Sequence, residues 1–284
     1  MSPSRSDAII LWMLRGAASI SGMVVLFIIV FLFLEALPAL KEIGPLRFFN
    51  DPSWHPNDGT FDLTPMLMGT LLTTLGALAL ATPLGILSAV FIHYYAPPAL
   101  GQVYRKLIGL LAGIPSVVYG FWALVVLVPI IGRIHPPGPS LSAGILILAL
   151  MILPTIALLA DASLTAVPSQ ILQGAAALGL SRWSIITGVA LPAARAGLTT
   201  SIILATGRAI GETMALLMVS GNVVQVPKSL FDPIRTLTAN IALEMAYAMG
   251  NHRSALFVSG LVLMAIIATL VFFSEGLTRD GMGA

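Results

Sequence analysis

Long unbroken apolar runs constrain this chain more than any other feature of its sequence. A run of about 20 apolar residues is what a helix needs to cross the hydrocarbon core of a bilayer. Six runs of roughly this kind occur, at Ala17–Leu37, Met66–His93, Leu107–Ile131, Leu141–Ala160, Pro192–Ser220 and Ala255–Phe273. Only 9% of the 284 residues are charged, whereas soluble domains carry about a quarter. Lipid must therefore cover most of the surface.

These runs predict an all-α fold, a polytopic membrane bundle of about six transmembrane helices. Inside a bilayer each span must satisfy its own backbone hydrogen bonds, which a helix does. Pro83, Pro115 and Pro154 fall inside the runs, and we expect neighbouring helices to tolerate the resulting kinks. The first run is too long for the core of a signal peptide, so we interpret it as a retained span.

Several classes of chemistry lack their sequence motifs. The chain has no G-x-x-x-x-G-K-[ST] motif for binding ATP and no H-E-x-x-H zinc motif. It contains no cysteine, and its four histidines, His55, His93, His135 and His252, show no ligand spacing. The net charge of +2 gives no basis for nucleic-acid binding. We therefore predict no catalytic residue, no cofactor, no metal site and no nucleic-acid partner.

The connection between the fourth and fifth runs predicts two short helices joined by a tight turn. Pro168 and Ser169 suit the start of a helix over about 169–178, and Gly179 suits its C-terminal turn because glycine reaches positive φ without steric cost. A second helix is expected from Ser181 toward Leu191. The surface of this segment is small and mostly uncharged, which suits insertion into a groove on another protein.

This segment resembles the EAA loop of the permeases of ABC importers. Gln173, Gly174 and Ala175 stand where the family has Glu-Ala-Ala, and the spacing to Gly179 and to Leu191-Pro192 matches. The resemblance implies coupling to a separate ATPase through Gln173, Gly174, Ala175, Gly179 and Arg182. It also implies that both chain termini are cytoplasmic. The distribution of Lys and Arg leaves this orientation open, with seven inside against six outside.

Two opposite charges interrupt the fifth apolar run. Arg208 and Glu212 are four residues apart, so one continuous helix would place them on the same face. An arginine at this depth costs at least ~2.5–3.5 kcal/mol and normally faces the bundle interior. Its guanidinium can bind an oxyanion through two hydrogen bonds, which predicts an anion path. The alternative is a structural pair that fixes helix rotation, with Gly207 and Gly211 as a packing face.

Three motifs resemble those of the bacterial high-affinity phosphate ABC importer, in the first of its two permease subunits. They are Gly69-Thr-Leu-Leu-Thr-Thr with Pro83-Leu-Gly, Gly113-Ile-Pro-Ser-Val-Val-Tyr-Gly, and Arg208-Ala-Ile-Gly-Glu-Thr-Met-Ala. The resemblance covers about residues 60–275. It implies a type I ABC importer permease fold in a bacterial inner membrane, with Arg208 and Glu212 on the substrate path. The implied partners are a sibling permease in a heterodimer, two copies of a cytoplasmic ATPase and an external phosphate-binding protein.

The expected organisation has three parts. Residues 1–65 form the first transmembrane helix and an external loop, residues 66–275 the permease domain with its coupling loop near 168–191, and residues 276–284 a short cytoplasmic tail. Residues 221–254 are expected outside, with a helix near Thr236–Met249 stopped by Gly250 and a role in docking the binding protein. The alternatives are a permease for sulfate, molybdate or phosphonate, a secondary transporter or channel, and a purely structural membrane protein.

Overall fold

The computed structural model describes the backbone of residues 5–280 and the side chains of residues 10–272. The long secondary-structure elements of the described part are all helices, as the composition predicts, and its two named strands form one small hairpin. The hairpin pairs strand β1 (Trp54–His55) with strand β2 (Thr60–Phe61). The helices are α1 (Arg5–Glu42), α2 (Arg47–Asn50), α3 (Thr64–Val90), α4 (Pro98–Gly113), α5 (Ser116–Trp122), α6 (Val128–Ile134), α7 (Leu141–Thr165), α8 (Ser169–Ala177), α9 (Arg182–Ile185), α10 (Leu191–Ala193), α11 (Arg195–Ile210), α12 (Met214–Val219), α13 (Leu237–Glu244) and α14 (Gly250–Asp280).

Three π-helical turns extend these helices. They are Phe91–Tyr95 after α3, Ala123–Leu127 between α5 and α6, and Ile186–Ala190 after α9. With them, five segments of the described chain are long and apolar enough to cross a membrane. A sixth span forms if Arg182–Ala193 and Arg195–Ile210, which meet at a bend of 69°, are counted together.

Helices α3 and α7 run parallel and form the centre of the bundle. Small residues bring them close together, because a methyl group at Gly85 would lie 2.7 Å from Ile156 Cγ2. The central hydrophobic cluster includes Ala77, Ala81, Ile147, Ile152 and Ile156, all without exposed area. Helix α11 packs against both central helices, which places its residues in the interior of the molecule.

Helices α1 and α14 form an antiparallel pair beside this centre. Phe31 contacts Phe257 edge-on at 5.8 Å, and Asn251 Nδ2 donates to Glu42 Oε2 at 2.8 Å. The end of α1 at Glu42 and the start of α14 therefore lie beside the hairpin. We call this the hairpin end, and we call the opposite end of the bundle, which carries α8 and α9, the coupling end. Residues Arg5 and Asp280 consequently both lie toward the coupling end.

Four of the six predicted spans are single helices, and two are broken. The prediction of one helix over Leu107–Ile131 is wrong, because α4 ends at Gly113 and Ile114 is extended, at φ −69° and ψ 129°. A residue before proline avoids the helical region, and Pro115 follows. The prediction of one helix over Pro192–Ser220 is also wrong, because three residues separate α11 from α12. Pro83 and Pro154 do lie inside continuous helices, as expected.

The segment 221–254 differs from its prediction in detail. Its helix covers only Leu237–Glu244, with Thr236 Oγ1 accepting a hydrogen bond from Ala239 N at the N-cap. Gly250, at φ +53°, begins α14 and does not end the preceding helix. The predicted tail at 276–284 is helical as far as Asp280, and residues 281–284 lie outside the described part.

Candidate functional site

Arg208 lies near the middle of the bundle, in the last turn of α11. Its Nη1 donates to the Thr155 hydroxyl at 3.1 Å, and Thr155 is the fifteenth of the 25 residues of α7. Among the described residues, no carboxylate lies within 4.0 Å of the guanidinium. Arginine carries five N–H donors, so this side chain keeps its charge and most of its donors for another group. That arrangement suits a passing oxyanion.

Glu212 has a different position from the one predicted. Because α11 ends at Ile210, Arg208 and Glu212 do not share a face of one helix, and that prediction is wrong. The buried Glu212 carboxylate instead accepts a hydrogen bond from Ala215 N at 3.0 Å, in the first turn of α12. Its backbone carbonyl accepts from the Thr238 hydroxyl at 2.8 Å. A carboxylate is favoured at a helix N-terminus, so Glu212 fixes the start of α12.

The two helix breaks meet inside the bundle. Helices α5 and α12, which follow the breaks, pack so closely that a methyl group at Gly120 would lie 2.8 Å from Ala215 Cα. The Tyr119 hydroxyl spans the first break by donating to Leu111 O at 2.9 Å. Irregular backbone at membrane depth persists only where protein buries it or where it lines a wet cavity. Both breaks therefore need either cover from protein or contact with water at this depth.

The alternative of a Gly207 and Gly211 packing face finds no partner in the described chain. A methyl group at Gly207 would meet no atom within 4 Å. At Gly211 it would meet only carbonyl oxygens of the preceding helical turn, the nearest at 3.5 Å. The close packing of this region comes instead from Gly120 against Ala215.

The predicted helix–glycine–helix element is confirmed. Helix α8 covers Ser169–Ala177, Gly179 has φ +77°, and Ser181 Oγ caps α9 by accepting from Ser184 N. Ile186 and Ala190 are buried against the ends of α3 and α7. This apolar contact fixes the element at the coupling end of the bundle.

The predicted coupling residues divide between the surface and the interior of this element. Gln173, Gly174 and Gly179 are exposed, whereas Ala175 is buried. Arg182 places its guanidinium 5.6 Å from the ring centre of Tyr95, so it contacts the rest of the bundle. The outer surface instead presents large apolar side chains, Ile171, Leu178, Leu180 and Trp183, of which Leu178 is 83% exposed. Such a patch is typical of a surface that contacts another protein or a membrane.

Sequence analysis missed two clusters of charged side chains. At the hairpin end, buried Glu244 accepts from Trp54 Nε1 at 2.9 Å and from Arg235 Nη1 at 2.7 Å, and it lies 2.9 Å from His252 Nε2. These four residues line a cavity of about 920 Å³. At the coupling end, Arg105 pairs with buried Asp161 on α7. The apolar surroundings of Glu244 and Asp161 in the sequence could have indicated that both carboxylates are buried and need partners.

No group of three or more His, Asp or Glu residues in the described ranges is arranged to hold a metal ion. Arg208 and Glu212, the predicted conduction residues, lie beside the break between α11 and α12. The predicted coupling residues lie at the coupling end of the bundle.

Comparison with known proteins places this geometry in a family. Residues 81–279 match the family described as binding-protein-dependent transport system inner membrane component. The chain is 37% identical to the probable ABC transporter permease protein YqgH of Bacillus subtilis, over 80% of this chain and 75% of that protein. It is 34% identical to the phosphate transport system permease protein PstC of Mesorhizobium japonicum, over 93% of this chain and 84% of that protein.

Solved structures support the fold. The crystal structure of a bacterial alginate ABC transporter, in complex with alginate pentasaccharide-bound periplasmic protein, contains a chain that superposes with a TM-score of 0.65 at 14% identity. The match covers 97% of this chain and 96% of that one.

Proposed function

The chain belongs to the family of binding-protein-dependent transport system inner membrane components, and from that premise we propose that it forms the path for inorganic phosphate in an ATP-driven importer. One observation carries the proposal. Arg208 lies mid-bundle beside two helix breaks, tethered by a neutral hydroxyl and without a carboxylate within 4.0 Å among the described residues. The naming of a 34% identical relative as a phosphate permease supports phosphate as the anion.

The site combines affinity with release. A guanidinium matches two oxygens of a phosphate through parallel hydrogen bonds, which selects an oxyanion over a spherical anion. Conduction requires that this binding stay weak enough for the ion to leave. The Thr155 hydroxyl orients Arg208 without neutralising it. Glu212, held at the start of α12, contributes negative charge further along the same backbone and limits the retention of anions.

The chain supplies no ATP-hydrolysing machinery in this proposal. It lacks a P-loop motif, so a separate ATPase, present in two copies, provides the energy. The exposed apolar patch at α8 and α9 is where one ATPase copy docks, and Leu178 and Trp183, at 83% and 57% exposed, are its most prominent side chains. The matched family is named for a binding-protein-dependent system, which supports an external phosphate-binding protein as the donor.

A sibling permease completes the pore. One chain encloses Arg208 only partly, and the exposed face of α5 leaves Val117, Val118 and Phe121 uncovered. A related second permease in a heterodimer, together with lipid, covers such a face. With the coupling end facing the cytoplasm, both chain termini are cytoplasmic and the hairpin end faces outward, because α1 and α14 each run between the two ends.

The test is solute uptake by the reconstituted complex. Proteoliposomes containing this chain with its sibling, ATPase and binding protein should accumulate radiolabelled phosphate only when ATP is supplied on the ATPase side. Excess unlabelled sulfate, molybdate or phosphonate should leave this uptake unchanged. Competition by one of those anions would reassign the substrate, and ATP-independent uptake would indicate a secondary transporter.

A further inference from the structure

The ion pair between Arg105 and Asp161 lies at the coupling end, away from the helix breaks. Arg105 donates through Nε at 2.7 Å and through Nη2 at 3.0 Å, one bond to each carboxylate oxygen. The Asp161 side chain is only 8% exposed, whereas Arg105 is 43% exposed. A bidentate pair of this kind fixes relative orientation as well as distance. It therefore joins α4 rigidly to the last turns of α7, just before the chain enters α8.

Helix α4 is attached to the bundle along a single stripe. Gly101 lies against the Ile92 carbonyl, the Tyr104 hydroxyl is 3.3 Å from Ser88 Oγ, and Ile108 is buried against Ile92. Arg105 is the one charged residue of this stripe, and most other residues of α4 are exposed. Because this attachment is narrow, we expect the ion pair to determine much of the orientation of α4 relative to α7.

The π-helical turn Phe91–Tyr95 lies between the coupling element and this pair. Arg182 of α9 lies over Tyr95 at 5.6 Å, and His93 Nδ1 lies 4.0 Å from Asp161 Oδ1. The Tyr94 hydroxyl between them is buried and has no hydrogen-bond partner in the described chain. Contacts thus run from α9 through this turn to Asp161.

Helix α4 leads directly to the first helix break. It ends at Gly113, and its Leu111 carbonyl accepts the hydrogen bond from Tyr119 on α5. Helix α5 in turn packs against α12, which begins at the Glu212 cap beside Arg208. A displacement of α4 would therefore also displace the backbone at both helix breaks.

We propose that Arg105 and Asp161 are positioning residues that transmit movement of the coupling element to α4, and through α4 to the helix breaks beside Arg208. The proposal rests on the proposed function, because it needs an ATPase docked at α8 and α9. The pair keeps α4 attached to α7 while the coupling element moves. Without the ion pair, ATP hydrolysis continues, but less of the movement of the coupling element reaches the helix breaks.

The first test measures ATP hydrolysed per phosphate taken up by the full complex in proteoliposomes. Arg105→Gln and Asp161→Asn should each raise this ratio about threefold or more, in the range of coupling between contacting residues. Arg105→Lys keeps the charge but not the bidentate geometry and should give an intermediate ratio. The matched control is Lys106→Gln, which removes an exposed neighbouring charge and should leave the ratio unchanged.

The ratio separates coupling from a purely structural role. If the ion pair has only a structural role, uptake and hydrolysis should fall together with the amount of assembled complex. The ATP hydrolysed per phosphate taken up should then stay constant. That result, or parental ratios in the Gln and Asn variants, would overturn the proposal. If the complex with Asp161→Asn fails to assemble because Asp161 is buried, the variants of the half-exposed Arg105 test the proposal without it.

The second test does not depend on the transported solute. The chain has no cysteine, so spin labels can be placed at Gly109→Cys on α4 and Gly188→Cys in the π-helical turn Ile186–Ala190, where an added Cβ atom meets no atom within 4 Å. In the parent complex the label distance should shift between nucleotide-free and ATP–vanadate states. Arg105→Gln should broaden the distances and abolish the shift; a parental shift in this variant contradicts the proposal. Lack of phosphate uptake by the parent would instead count against phosphate as the substrate.

Discussion

At the residue scale, Arg208 and Glu212 have different hydrogen-bond partners although they are only four positions apart in the sequence. The sequence indicates that both are functional, because charges are costly within an apolar run. Their geometry depends on where α11 ends, and an i, i+4 spacing describes only an unbroken helix. Gly211 could have indicated the break, since glycine followed by an acidic residue is typical of a helix end and a new start. Thr155 could not have been predicted, because it lies 53 residues away in the sequence.

The capping role of Glu212 predicts a difference between two substitutions. Glu212→Gln keeps an oxygen that accepts from Ala215 N, so the folded complex should retain its thermal stability. Glu212→Ala leaves that N–H without its acceptor and should cost ~0.5–2 kcal/mol. Thermal unfolding of the detergent-solubilised complex measures both. Equal losses in the two variants would show that the charge, and so an ion pair, matters more than the cap.

At the element scale, apolar runs predict that helices exist but not where they break. The four runs without a break were located correctly, since length and hydropathy are sufficient for them. The break at Ile114–Pro115 occurs within apolar sequence, and the break at Gly211–Thr213 occurs in a run that only Arg208 and Glu212 interrupt. Tolerance of proline differs between positions because neighbours decide it: Pro83 and Pro154 lie inside packed central helices, whereas Pro115 begins a new one. The hairpin was missed because each strand has only two residues.

The turn at Gly179 predicts a specific failure of coupling. Its φ of +77° is a conformation that β-branched residues rarely adopt, so Gly179→Val should impose ~1–3 kcal/mol of strain. Insertion should be normal, because no span changes, while copurification of the ATPase should fall. Gly188→Ala, at an exposed position of the turn Ile186–Ala190 where a methyl group meets no atom within 4 Å, is the matched control and should behave like the parent. Normal ATPase recovery and uptake with Val at 179 would refute the coupling assignment.

The hairpin end predicts a pH dependence. Arg47 donates to both carboxylate oxygens of Asp51 and holds its pKa below the ordinary value of 3.8. A lowered pKa means that the stabilisation is complete above that ordinary value and is lost as pH falls through the lowered pKa.

Hydrogen exchange of residues 52–63, corrected for intrinsic rates, should therefore be constant from about pH 7 to 5 and rise only below about pH 4. Asp51→Asn should show the faster exchange already at neutral pH, and Asp58→Asn, on the exposed hairpin tip, should match the parent. Loss of protection between pH 7 and 5 in the parent would contradict this account.

At the scale of the whole molecule, the sequence predicts the class of protein better than its internal contacts. Composition and run length predict a helical membrane bundle, and the residues around Gly179 predict the helix–glycine–helix element. The clusters around Glu244 and Asp161 each join segments far apart in the chain: Trp54 lies 190 residues from Glu244, and Arg105 lies 56 from Asp161. A single sequence does not show which charged residues, far apart along the chain, are in contact in the fold.

The proposed orientation predicts which side of the membrane each end faces. Ser229→Cys, in an exposed loop at the hairpin end, should react with an impermeant thiol reagent added outside intact cells. Gly174→Cys at the coupling end should react only after the inner face is exposed. The absence of native cysteines keeps the background low. The reverse labelling pattern would invert the proposed topology and exclude α8 and α9 as the docking site of the ATPase.

Phosphate uptake per assembled complex in Arg208 variants tests the central claim most directly. Arg208→Lys keeps the charge but loses the planar donor pair, so uptake should fall about tenfold, which corresponds to ~1.4 kcal/mol. Arg208→Ala should abolish uptake. Arg208→Met keeps much of the volume, so complexes should still assemble. Assembled complexes with greatly reduced uptake in all three variants are the result that this account predicts. Parental uptake by the assembled Met complex would contradict it, because phosphate would then cross without the guanidinium.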